Sequence, residues 1–192
     1  MHGLKAGELI WTLTTPGALR IHREHFLENI NRNTLEHDVT LNDVRIVFEK
    51  LGLVVGWHTE QALRRAAGAK QKTLEPKINP DAIISVKTAE GIKAVALELE
   101  LSEKNLSRYR KIFADYARMR TLWGLWYVVP DLNFGKRLLK EWSRENSRVQ
   151  SPQFYFLSLS EILSPDSSIK LWGVQGERLI ERRPLNPAHP AA

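Results

Sequence analysis

The stretch Leu122–Val129 reads LWGLWYVV and holds no charged residue. A strand of this kind cannot show either face to water. It must be covered on both, which is the condition of a central strand in a sheet packed between helices. Its flanks agree. Pro130 and Asp131 follow at once, and Asp131 can cap a helix over about Leu132–Asn146. Upstream, Leu106, Tyr109, Ile112, Phe113 and Tyr116 recur at helical spacing, with Ser102 as a candidate cap and Glu103 in the first turn. The opposite side of that helix carries Arg108, Lys111, Asp115 and Arg118. Downstream, PQFYFLSL predicts another strand, SPDSS a turn and IKLWGV a last short strand.

The N-terminal half extends the same plan. Leu35, Val39, Val44, Val47, Phe48 and Leu51 predict a helix over Asn31–Leu51, with Thr34 as its cap and Gly52 as its stop. LVVGWHT predicts a strand, and EQALRRAA a short helix within a polar, basic connection. Ile83–Val86 and Ile92–Leu101 predict a hairpin, with TAEG as the turn and Gly91 free to take a positive φ. The expected architecture is an α/β domain over residues 31–183, with a mixed sheet flanked by helices. Residues 1–30 predict a strand, a turn and a strand, and residues 184–192 a loose Pro-rich tail.

The hairpin carries an anomaly. Asp81 opens its first strand, and Glu98 and Glu100 lie inside its second. Alternation puts Glu98 and Glu100 on one face with Ala96, and sends Val95, Leu97, Leu99 and Leu101 to the core. The turn brings Asp81 opposite Glu98 to Glu100. Like charges that close repel unless a cation joins them. An all-oxygen set in a chain with no cysteine favours Mg or Mn. The plainer alternative is the solvated face of an edge strand, with Asp81 as a turn residue.

Charge distribution bears on the partner. The net charge is +6, and residues 103–148 hold eleven basic and five acidic residues, enough to account for all of it. A second basic run, RRAAGAKQKTLEPK, contains Arg64, Arg65, Lys70 and Lys72. Basic stretches on both sides of a carboxylate cluster predict a polyanion such as DNA, held by Arg64, Arg65, Lys70, Lys72, Arg108, Lys111 and Arg118. The start, MHGLKAGELIWTL, does not read as a secretory leader, and no apolar run is long enough to span a bilayer. The expectation is a cytoplasmic protein with no membrane partner. HREH, His22–His25, has i, i+3 spacing but no third ligand nearby in sequence.

HDVTLNDVRIVFEKLG, NPDAIISV and ALELELSEKNLSRYRKIFADY together resemble the replication-relaxation family of plasmid and mobile-element proteins. In layout they are similar to the wider restriction-endonuclease-like PD-(D/E)xK superfamily. The resemblance covers about residues 34–129. It implies a restriction-endonuclease-like sheet, with LIWTLTTPGALRI as the remnant of a winged helix. It implies DNA as partner, together with replication or mobilisation proteins, and Mg or Mn as cofactor. Residue by residue, it makes Asp81 and Glu98 metal ligands, with the Leu99 carbonyl beside them. Glu100 stands where the motif has Lys, and Lys104 is the nearest replacement. Glu36 matches a further carboxylate of many members and equally suits a helix N-terminus. Three functions follow from this departure. One is a DNA-binding protein of a plasmid or mobile element with a degenerate metal site. Another is an active Mg- or Mn-dependent endonuclease using Asp81, Glu98 and Glu100. The third is an accessory domain that docks another protein.

Overall fold

The computed structural model describes residues 32–69, 78–146, 152–164 and 169–180. The winged-helix remnant, His22–His25, Lys70, Lys72, the SPDSS turn beyond Ser164 and the Pro-rich tail lie outside them. The chain separates into two units, Met1–Asn42 and Asp43–Ala192.

In chain order the elements are α1 (Arg32–Lys50), β1 (Val54–Thr59), α2 (Glu60–Ala69), β2 (Ala82–Thr88), β3 (Gly91–Leu99), α3 (Leu106–Tyr116), β4 (Gly124–Val129), α4 (Leu132–Asn146), β5 (Gln153–Ser158), α5 (Leu159–Leu163), β6 (Ile169–Gly173) and β7 (Gly176–Ile180). The seven strands form one sheet in the order β1-β2-β3-β4-β5-β6-β7. The first three are antiparallel neighbours, β3-β4 and β4-β5 are parallel, and β5-β6-β7 are antiparallel again. The chain is therefore α/β with a mixed, helix-flanked sheet.

The apolar run is the sheet's middle strand. Every residue of β4 is buried. Right-handed crossovers that advance across a sheet in one direction leave their helices on one face. Accordingly α3 and α4 cover the same face: Tyr109, Phe113 and Tyr116 pack with Phe134, Leu138 and Trp142 over Ala96, Leu125, Tyr127, Phe154 and Phe156. Phe113 is the hub, meeting Tyr127, Trp142 and Phe154 edge-on at 5.4–5.7 Å between ring centres. Edge-to-face contacts of this kind add to the burial term. The second face of β4 is covered too: Phe48 of α1 meets Trp126 edge-on at 6.2 Å. Gly135 lets α4 lie directly on β5, because a Cβ there would come within 2.1 Å of the Phe156 ring.

Several local expectations change. Helix α1 begins at Arg32, so Thr34 lies inside it rather than capping it. Ser102 does not cap α3. Asn105 does, its side chain accepting the Arg108 N–H at 2.9 Å. Leu106 is 45% exposed and stands off the apolar face. Asp131 caps α4 through the Phe134 N–H at 2.9 Å, and Gly91 takes a φ of 108°. Helix α5 and strand β7 are additions to the predicted set. No helix among the described residues is long and apolar enough to cross a membrane.

Candidate functional site

Strand β3 is third of seven, so its carboxylates do not sit on an open edge. That removes the solvated-edge reading. The face assignment also changes. Val95, Leu97 and Leu99 are buried as expected, but Ala96 is fully buried as well. From Val95 to Leu97 β3 is buried on both faces, and the half-buried Glu98 projects on the side roofed by α3 and α4.

The hairpin register sets the first carboxylate pair. Ala82 is paired with Leu97 and Ile83 with Ala96, so the next residue of β2's lead-in, Asp81, comes level with Glu98. Asp81 is held there twice. Its Oδ2 accepts the Leu99 N–H at 2.7 Å, and its carbonyl accepts the Glu60 N–H at 2.9 Å, where α2 begins. Glu98 Oε1 accepts a hydrogen bond from the Tyr116 hydroxyl. Burial, and then the negative charge of Asp81, push the Glu98 carboxyl up to about 8, while the Tyr116 bond and the Lys104 ammonium act in the opposite direction.

Glu100 is handled differently. It follows the last residue of β3, and its N–H donates to the Val128 carbonyl at 2.9 Å, which extends the pairing with β4 by one step. Glu100 is 5% exposed as a residue, and its carboxylate pairs with the Lys104 ammonium. Lys104 is in the loop before α3, not in the helix that a cap at Ser102 predicts. Its main-chain N–H donates to the Tyr109 hydroxyl at 2.9 Å. Burial raises the hydroxyls of Tyr109, Tyr116 and Tyr127, so all three stay protonated, and the nearby carboxylates add to the shift.

The site thus lies at the carboxyl ends of the parallel strands β3 and β4, beside the loops entering α3 and α4. Ligands of open α/β sheets collect at such ends. Asp81 and Glu98 are brought together, while Glu100 is turned to Lys104. Among the described residues no three carboxylate or imidazole groups converge as a ready-made metal cage. The donor chemistry of Asp81 and Glu98 nonetheless suits a hard divalent cation. Two adjacent carboxylates, one of them lifted by burial and then by the other's charge, are relieved by a positive ion.

The predicted basic contacts divide in the same way. Arg108 and Lys111 are exposed on α3 and make no ion pair among the described residues. Arg118 is engaged by Asp115, and Arg64 pairs with Glu60 at 2.5 Å. Arg65 is exposed on α2. Part of the basic excess is paired at the surface: Arg110 meets Glu141 and Glu145, and Arg137 meets Glu103 at 2.7 Å. Glu36 is exposed on α1, and His37 Nδ1 lies 3.5 Å from Asp38. Sequence reasoning missed the three tyrosines as site residues. The i, i+7 spacing of Tyr109 and Tyr116 on one helix face was the available signal.

No family model matches the chain, and no curated protein matches it. Among solved structures it is similar to the YaeQ protein from Xanthomonas axonopodis pv. citri, at 13% identity over 63% of this chain and 77% of that one. The TM-score is 0.25, a level that carries no argument about fold or function.

Proposed function

We propose that this chain is a DNA-processing domain in which Asp81 and Glu98 hold a divalent cation, Mg or Mn, and Arg108 and Lys111 bear on phosphates. The observation that carries the reading is the side-by-side placement of Asp81 and Glu98, with Lys104 tied to the same strand end through Glu100. When bound, such a cation polarises a phosphoryl oxygen and lowers the pKa of a water. The chain's own groups do the rest. Asp81, fixed by the Leu99 N–H, presents its carboxylate at a set position. Lys104, held by Glu100 and by the Tyr109 hydroxyl, supplies positive charge where a phosphate gains negative charge. Arg108 and Lys111 add affinity that does not depend on base sequence. The resemblance to replication-relaxation proteins puts the substrate on plasmid or mobile-element DNA within this proposal.

A specific observation favours a second reading, a DNA-binding module with a silent site. The Lys104 ammonium is already engaged by Glu100, which limits what it offers a substrate. One experiment separates them. Wild type, Asp81→Ala and Glu98→Ala are incubated with single-stranded, duplex and branched DNA in Mg or Mn, with and without EDTA. Cleavage by wild type that is lost in EDTA and in both variants supports the enzyme. Binding without cleavage on every substrate supports the module. Absence of binding at low salt overturns both.

A further inference from the structure

Strand β6 carries Lys170 and Trp172 two residues apart, so both side chains stand on one face of the sheet. That face is the one α4 covers, for Trp172 is paired with Phe156 and stacks on its ring at 6.1 Å and 10°. Lys136 of α4 brings its ammonium to 5.9 Å from the centre of the same indole, and Lys170 brings its own to 5.5 Å. Both distances lie at the outer end of the range for a cation over a ring. Trp172 is accordingly only half-buried, with its outward side bordered by charge. Lys136 is exposed, as is Lys140 one turn further along α4, and neither makes an ion pair among the described residues. The Lys170 ammonium is 3.3 Å from Glu177, an exposed pair of small worth. Two ammonium groups beside one ring repel each other, and an anion between them relieves both. The indole N–H is buried and meets no acceptor. Buried tryptophans usually find a partner, and an unmet donor costs stability. A phenylalanine would cover Phe156 without that cost, so what the indole adds is a larger and more electron-rich outward face.

We propose that Trp172, with Lys136, Lys140 and Lys170 around it, is a contact for single-stranded DNA. An unpaired base stacks on the outward part of the indole, and the phosphates on either side of it lie on the ammonium groups. The proposal rests on the reading of the chain as DNA-binding and makes no use of the carboxylate pair. Stacking on aromatic rings within a positive surface is how single strands are held without regard to sequence. Duplex DNA offers phosphates to the lysines but keeps its bases stacked on one another. An acidic peptide likewise uses the ammonium groups and leaves the ring idle. Only an unpaired nucleotide brings a π-face and phosphates together. The patch is also separate from Arg108 and Lys111. Helix α4 meets α3 through Glu141 and its lead-in through Arg137, whereas Lys136 reaches β6, so α4 stands between the two basic surfaces.

The test is an anisotropy titration of a labelled oligothymidylate, and of a duplex of the same length, with wild type, Lys136→Gln, Trp172→Ala and Trp172→Phe. Lys136→Gln should lower the salt slope for the oligothymidylate by about 0.7, the share of one phosphate on a single strand. Trp172→Ala should weaken the oligothymidylate by roughly tenfold and leave the duplex nearly unchanged. Trp172→Phe should lose the quenching of tryptophan emission that the oligothymidylate causes in wild type. Oligothymidylate binding that none of these variants alters overturns the proposal, while the α3 reading stands if Arg108→Ala and Lys111→Ala still weaken it. Equal loss on strand and duplex in Trp172→Ala means that no base stacks there and overturns it too. So does a polyglutamate that displaces the label as well as unlabelled oligothymidylate of equal charge, which would assign the patch to an acidic protein. Wild type that binds neither DNA at low salt overturns the DNA reading and the proposal with it. Should Trp172→Ala fail to fold, the Lys136→Gln slope and the Trp172→Phe quench decide, and an unchanged value of either refutes the contact.

Discussion

Replacing Glu98 by Gln probes the electrostatics of the carboxylate pair without any assumption about substrate. In the folded chain the Glu98 carboxyl is pushed from 4.5 up to about 8. Between those values the fold keeps a proton that the unfolded chain has released. The stability attached to this group is therefore complete below the unfolded pKa and is lost as pH rises toward the folded one. This is the reverse of a carboxylate held by a permanent cation. At roughly 1.4 kcal/mol per pKa unit, the interval costs wild type on the order of 5 kcal/mol once the pH exceeds the folded value. Gln has the shape of the protonated acid and never ionises, so Glu98→Gln escapes the loss. Urea unfolding in EDTA at about pH 5 should give the two proteins similar midpoints, and at about pH 8.5 the variant should be the more stable by a few kcal/mol. Asp81→Asn removes the second largest cause of the shift and should flatten the wild-type pH dependence. A stability difference between wild type and Glu98→Gln that does not change with pH would show that Glu98 is already ionised in the fold at neutral pH, and the argument from mutual repulsion would collapse.

Other perturbations follow from the same geometry. Arg108→Ala and Lys111→Ala should each weaken binding to all DNA sequences alike and reduce the salt slope by about 0.9, whereas Arg118→Ala, whose guanidinium is engaged by Asp115, should do less in an electrophoretic or anisotropy titration. Gly135→Ala should destabilise the fold by about 1–3 kcal/mol in urea despite a better helix propensity, because the new methyl meets the Phe156 ring rather than open space. An unchanged or raised midpoint would mean that α4 can lift from β5 at no cost. Asn105→Ala should cost about 1 kcal/mol through loss of the α3 cap. It should also loosen the adjoining Lys104 loop, read as faster amide exchange at Lys104.

What the sequence made legible and what it hid divide on a physical line. The central strand was readable because an uncharged, almost wholly apolar run has one stable environment. The pairing of Asp81 with Glu98 was readable because a short turn fixes the register for the whole hairpin. The roof over Glu98 was not. Ala96 and Glu98 alternate with larger apolar residues, and nothing local says that Tyr116 will return over them. The position of Lys104 was hidden by a competition between two good caps. Ser102 and Asn105 both suit the role, and the Asn105 side chain takes it by accepting the Arg108 N–H. Pairs within a helix, such as Arg64 with Glu60, were accessible from spacing. Arg110 with Glu141 and Arg137 with Glu103 were not, because each joins segments that meet only after the helices pack.

The sheet's order, in which each described strand lies beside its described predecessor, bears on how such a sheet can assemble. Each new strand finds its partner among residues just made, so loop closures stay short and the search is fast for a sheet of this size. Hairpins close within microseconds, well before pairings that must wait for a crossover helix. Asp81 and Glu98 belong to one such hairpin, β2-β3, and so meet early, while Tyr116, arriving on the helix that leads to β4, closes over them later. During synthesis the two acids would face each other in water first and lose it only as the next segment docks. The arrangement lets a nascent chain assemble the charged pair while solvent still screens it, and defers the cost of drying it until the aromatic layer is at hand to compensate.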